Sequence, residues 1–182
     1  MNKDIIDRLT AAKQKKSLMA LYRDDLSNVT DYTGFPVLIG KELTILAREN
    51  DFRHDGYVAL RLDDITFLEQ IDDNGFIRNI LTGEKLYDCA SAPKLIDGDS
   101  WQGVFSGVQA SFGGWLCVEA IIDEELCFFM GVIGGLDSNF LYLRQVDALG
   151  VKHQEETTVP LQDIVTVTFG GRYIETYRKY CK

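Results

Sequence analysis

No run of residues in this 182-residue chain is long and apolar enough to span a bilayer. The longest apolar stretch, Leu126 to Leu136, is 11 residues and holds three glycines, against the roughly 20 residues that a spanning helix needs. The first residues, Met1-Asn2-Lys3-Asp4, lack the apolar segment of a secretory signal, so a cytoplasmic location is expected. Histidine is scarce, with His54 and His153 alone, and the four cysteines (89, 117, 127 and 181) show no Cys-x-x-Cys or Cys/His spacing. No cofactor and no metal set is implied, and free, mostly buried thiols are expected.

A basic face is also missing. The chain carries 19 Lys and Arg against 28 Asp and Glu, a net charge of −9. Residues 1–91 hold 12 basic and 16 acidic groups and residues 92–182 hold 7 and 12, so neither half suits a phosphate backbone or an anionic membrane at long range. The one cationic cluster, Lys13, Lys15 and Lys16, falls at the end of an expected helix, where it complements the helix dipole. What remains is an ordinary globular composition, 46% apolar and 26% charged, with length for one large domain or two small ones.

An internal repeat organises the chain. Ile39-Gly40 answers Ile133-Gly134 at an offset of 94, Ile45-Leu46-Ala47-Arg48 answers Leu141-Tyr142-Leu143-Arg144 at 96, and Leu60–Ile65 answers Val159–Ile164 at 99. The common order of these matches, with the offset growing only at loops, points to duplication. Each unit follows a helix-like segment. Ile5, Leu9 and Ala12 recur at helical spacing before the first, and Trp101, Val104, Phe105, Val108 and Phe112 before the second, with Asp99 or Ser100 as cap. Within the units the pattern is of short strands: Leu18–Arg23, Val29–Ile39, Leu43–Glu49, Tyr57–Leu62 and Ile65–Glu69, then Trp115–Ile122, Leu126–Ile133, Phe140–Val146, Thr157–Leu161 and Val165–Phe169. The segments after each unit, Asn74–Leu81 and Gly170–Tyr177, fit either a short helix or a strand after a tight turn, with helix the expectation. The expected organisation is 1–82, a Gly/Ser/Asp/Pro-rich connector 83–98, and 99–182.

A helix followed by five short strands, with a two-residue corner before the last, resembles the Sm-like (SH3-type) barrel family. That family's first motif has Gly in strand two, Asp six residues later and Asn four beyond. Gly131 and Asp137 match, Leu141 stands at the Asn position and Asn139 lies two residues early; in the first unit Gly34, Gly40 and Thr44 occupy these places. The second motif, Ile-Arg-Gly, is matched at Arg61, with Leu62 at the Gly position, while the second unit has Pro160 and Leu161. The resemblance implies a mainly β fold of two tandem five-stranded barrels, each preceded by an α-helix. It also implies RNA binding through loop residues, here Arg61, Asp137 and Asn139.

Catalytic signatures mostly fail. Both histidines fall in expected hairpin loops, and Asp72-Asp73-Asn74-Gly75 puts Gln70 and Leu81 where a calcium loop needs oxygen ligands. Ser106 sits on a helical pattern and not on a nucleophile elbow. The carboxylate pairs Asp24/Asp25, Asp63/Asp64 and Glu124/Glu125 lie in turns, and Cys117 and Cys127 are placed to face each other across a hairpin centred near Ile122. Tyr173, Tyr177 and Tyr180, interleaved with Arg172, Arg178 and Lys179, could stack nucleobases, but the same spacing serves a helix packed on the barrel, which is the expectation. The leading expectation is therefore a non-catalytic binding or scaffold protein acting through protein contacts or self-association at strand edges. RNA binding is the second expectation, and a small acidic-site hydrolase or metal-dependent enzyme the third.

Overall fold

The computed structural model describes residues 3–23 and 32–181. The expected turn from Asp24 to Asn28, the Asp24/Asp25 pair and the first residues of the expected strand Val29–Ile39 lie outside the described residues. The chain runs α1 (Lys3–Lys15), β1 (Met19–Tyr22), β2 (Tyr32–Ile39), β3 (Leu43–Asn50), β4 (Arg53–Arg61), β5 (Phe67–Gln70) and α2 (Gly75–Gly83). It continues through α3 (Trp101–Phe112), β6 (Trp115–Ile122), β7 (Glu125–Leu136), β8 (Phe140–Val146), β9 (Lys152–Pro160), β10 (Ile164–Phe169) and α4 (Arg172–Tyr180). The segments after each set of strands are helices. Asn74 caps α2 by accepting from the Ile77 amide at 3.0 Å, and Ser100, not Asp99, caps α3 by accepting from the Gly103 amide at 3.3 Å. No helix among the described residues is long and apolar enough to cross a membrane.

The fold is mainly β, but its strands do not close into two barrels. They form one open antiparallel sheet in the order β5-β1-β2-β3-β4-β10-β6-β7-β8-β9. Closure would need β4 to pair with β5 and β9 with β10; instead β4 pairs with β10, aligning Thr166 with Leu60 and Thr168 with Val58. Either half read alone has the same order, the fifth strand beside the first and the fourth at the far edge. The register breaks also recur. One lies between Pro36 and Leu38 in β2 and between Ile133 and Gly135 in β7; the other lies between Ala47 and Glu49 in β3 and between Arg144 and Val146 in β8. Bulges of this kind bend a strand and raise its twist.

Side-chain alternation divides the core between the two faces. On one face Ile5, Leu9 and Ala12 of α1 pack on Leu46, Val58 and Leu60, while further along Ile174 of α4 packs with Cys117 and Met130. The alternate residues Ile45, Ala47, Ala59, Val167, Leu116 and Val118 face the other way, around Trp101, Val104, Phe105 and Val108 of α3. The connector is part of this second core through Leu86 and Ile96. Several expectations need correction. Among the cysteines only Cys117 is buried. Cys117 pairs with Met130 and Cys127 with Ala120, so the two thiols are not opposite each other, because the turn sits at Asp123-Glu124. His54 and His153 are on β4 and β9 rather than in loops.

Candidate functional site

Between α1 and α4, on the face they share, the sheet is not fully covered. A close backbone approach at Gly56 and a hydrogen bond accepted by Asp55 set this gap. The backbone at Gly56, with φ of +74°, lies so close to Gly171 and Phe169 that no side chain fits there. Asp55 Oδ1 then accepts from the Arg172 amide at 2.8 Å, which ties the start of α4 to the β3–β4 hairpin. Ile174 drives the helix onto β6, leaving a cavity of about 370 Å3 between the helix and the hairpin.

The floor of this cavity is Thr166 and Thr168 of β10 with Cys117 and Glu119 of β6; Tyr32, Arg48 and Asp55 stand on one side, and Phe128 and Tyr173 also line it. Tyr32 sits with the guanidinium groups of Arg23 and Arg48 over its ring, 5.5 and 5.6 Å from the centroid, and its hydroxyl donates to Glu119 Oε2 at 3.3 Å. Burial, with the Glu119 carboxylate beside it, pushes the Tyr32 pKa up to about 12. Arg48 pairs with Asp55 at 3.6 Å, and buried Arg23 donates to the Val165 carbonyl and to Thr166 Oγ1. Burial also pushes the Cys117 thiol up to about 12, so it stands as a neutral side chain and not as a nucleophile. A second, wider cavity of about 770 Å3 continues outward past Asn50, Asp55 and Tyr173 to His54, Arg53, Arg172 and Tyr177. No three His, Cys, Asp or Glu side chains among the described residues come together as a metal-ligand set. What the site offers is hydrogen bonds, fixed charges and aromatic faces.

No protein-family model, no curated protein and no solved structure matches this chain.

The three residues singled out from the sequence meet elsewhere, at the other end of β4. Arg61 donates to the carbonyls of Ile164, Leu161 and Gln162 at 2.8, 2.8 and 2.9 Å, and stacks its guanidinium over Trp101 at 5.7 Å. The Leu161 amide donates in turn to the Asn139 carbonyl at 2.8 Å, and the Asn139 amide to Asp137 Oδ1, also at 2.8 Å. Asp137 further accepts from the Phe140 amide and the Tyr142 hydroxyl, and these donors hold its pKa below the usual carboxylate range. The three residues thus form one chain of contacts in which these groups bond to the protein itself. On α4 Ile174 is buried and Tyr177 packs half-buried on the same cluster, but Tyr173 and Tyr180 are 52% and 69% exposed, so the expected inward packing of the tyrosine face holds only for Tyr177. Tyr32, Arg48, Glu119 and Phe128 carried no signal in the sequence, because they come from four different strands and share no spacing.

Proposed function

We propose that the protein is a non-catalytic binding and scaffold protein that assembles with copies of itself through its outermost strands, and that its halves are tandem copies of one Sm-like five-stranded unit. The observation that carries this reading is the β4–β10 pairing. In the repeated strand order, β4 is the fourth strand of the first half and β10 the fifth strand of the second. The free edges are β9 and β5, the counterparts of those same two strands, so a second copy placed by the same relationship would pair its β5 with β9 of the first. Such a contact is head-to-tail and produces a ring when its rotation closes.

Transferring the internal register places Phe67 opposite Val159, Glu69 opposite Thr157 and Gln70 opposite Glu156, with no like charges face to face. Phe67 is 51% exposed in the single chain and gains cover in the pair. Arg8 already donates to the Leu68 carbonyl at 2.7 Å and must swing aside. The test is light scattering across a concentration series, with the Phe67→Glu variant and a Gln70→Cys/Glu156→Cys pair. Self-association that Phe67→Glu abolishes, and an intermolecular disulfide specific to the cysteine pair, support the reading. A monomer at all concentrations overturns it.

A further inference from the structure

At the floor of the cavity between the β3–β4 hairpin and α4 lies the carboxylate of Glu119. Arg48 is matched by Asp55 at 3.6 Å, and Arg23 is bonded to Val165 and Thr166. Glu119 accepts from the Tyr32 hydroxyl at 3.3 Å, and among the described residues no Lys or Arg forms an ion pair with it, although the guanidinium groups of Arg23 and Arg48 lie over the same Tyr32 ring. Such a half-buried carboxylate can accept more hydrogen bonds than one hydroxyl supplies, and a charged ligand donor can take the rest. Two aromatic side chains beside it are also partly open, Tyr173 even though its ring packs against that of Tyr177 at 4.9 Å. Phe128 is 57% exposed and Tyr173 is 52% exposed, although both line the same cavity. Aromatic faces beside a carboxylate attract a cation twice, through the ring quadrupole and through the full negative charge.

We propose that this cleft binds an organic cation, an ammonium or guanidinium group, seated on the Glu119 carboxylate against the rings of Phe128 and Tyr173. An anion is disfavoured: it would have to approach Glu119 and separate Arg48 from Asp55, in a chain of net charge −9. The volume of about 370 Å3 accommodates one long basic side chain or a free amine of similar size, and the outer cavity of about 770 Å3 leaves a path for whatever carries it. The site lies on a sheet face and involves neither β5 nor β9, so it stands or falls separately from edge-strand assembly.

The test is a two-dimensional amide NMR titration of the full chain with N-acetyl-arginine-N-methylamide, and with the corresponding glutamate derivative as the reversed charge. Saturable shifts confined to Thr166, Thr168, Tyr173 and their neighbours are expected with the arginine derivative and not with the glutamate one. Affinity should fall about tenfold in Glu119→Gln, which keeps an acceptor for Tyr32, and comparably in Phe128→Ala, each with an unchanged melting temperature. A Gly-Gly-Arg-Gly-Gly peptide that binds tighter than the capped residue assigns the cation to a protein partner; equal affinity assigns it to a free small molecule. Absence of saturable shifts, shifts scattered over the acidic surface, or equal response to both charges overturns the proposal. So does full affinity in both variants.

Discussion

The Arg61 guanidinium donates to the carbonyl oxygen of Leu161 at 2.8 Å across 100 residues of sequence. With its bonds to Ile164 and Gln162, this one side chain ties the end of β4 to the corner that leads into β10. It therefore belongs to the seam that makes ten strands one sheet.

Replacing Arg61 with Ala should destabilise the fold by about 2–4 kcal/mol, since three carbonyls lose charged donors and the Trp101 ring loses its cover. Arg61→Lys should recover less than half of that, because an ammonium cannot reach three acceptors with the planar geometry of a guanidinium. Urea unfolding monitored by tryptophan fluorescence checks both; equal stability of Arg61→Ala and the parent chain would show that the seam does not depend on this residue.

Gly34 and Gly131 hold matching places, beside Met19 in β1 and Leu116 in β6. A Cβ at Gly34 would lie 2.6 Å from the Ala47 carbonyl oxygen, and one at Gly131 would overlap the carbonyl oxygen of Arg144. Alanine at either position should cost about 1–3 kcal/mol through forced backbone movement. Gly75→Ala, where a Cβ meets nothing within 4 Å, is the control and should change stability by less than about 0.5 kcal/mol.

Alkaline pH should weaken the fold earlier than its exposed groups would require. Cys117 moves from 9.0 to about 12 through burial, and Tyr32 from 10.0 to about 12 through burial and Glu119. Both pKa values are raised in the folded chain, so the unfolded chain releases these protons first. The stability they contribute is complete below pH 9 and is lost as pH climbs toward 12, by up to about 1.4 kcal/mol per pH unit for each group. Denaturant unfolding at pH 8, 9.5 and 10.5 should show the decline, and Cys117→Ala should flatten its first part. At pH 8, Ellman's reagent should modify the partly exposed Cys89, Cys127 and Cys181 well before Cys117.

Short U-rich and A-rich RNA should show no saturable binding by fluorescence anisotropy, even at low salt where attraction to phosphate is strongest. Arg61 and Asp137 bond to the protein itself, as does the Asn139 backbone, and the chain is acidic throughout. Micromolar affinity that drops steeply with salt would show instead that local loops overcome the global charge.

Strand and helix positions were legible because alternation and helical spacing are local properties. Trp115–Ile122 and Phe140–Val146 form strands over those residues, and α1 and α3 bury the faces their spacing marks. β9 begins at Lys152, five residues before the expected start, because Lys152 to Glu156 is polar and exposed and takes strand form only by pairing with β8.

The sequence by itself determined which residues alternate, which segments turn and which positions recur, since each depends on neighbours in the chain. Tertiary structure alone decided that β4 would pair with β10 and leave the sheet open. A strand edge carries the same backbone donors and acceptors toward any partner, and only competing long-range contacts such as those of Arg61 select among them. It also decided where the cleft lies. Tyr32, Glu119, Phe128 and Tyr173 share no motif or spacing, and they meet because α4 and the β3–β4 hairpin cover the sheet incompletely between them.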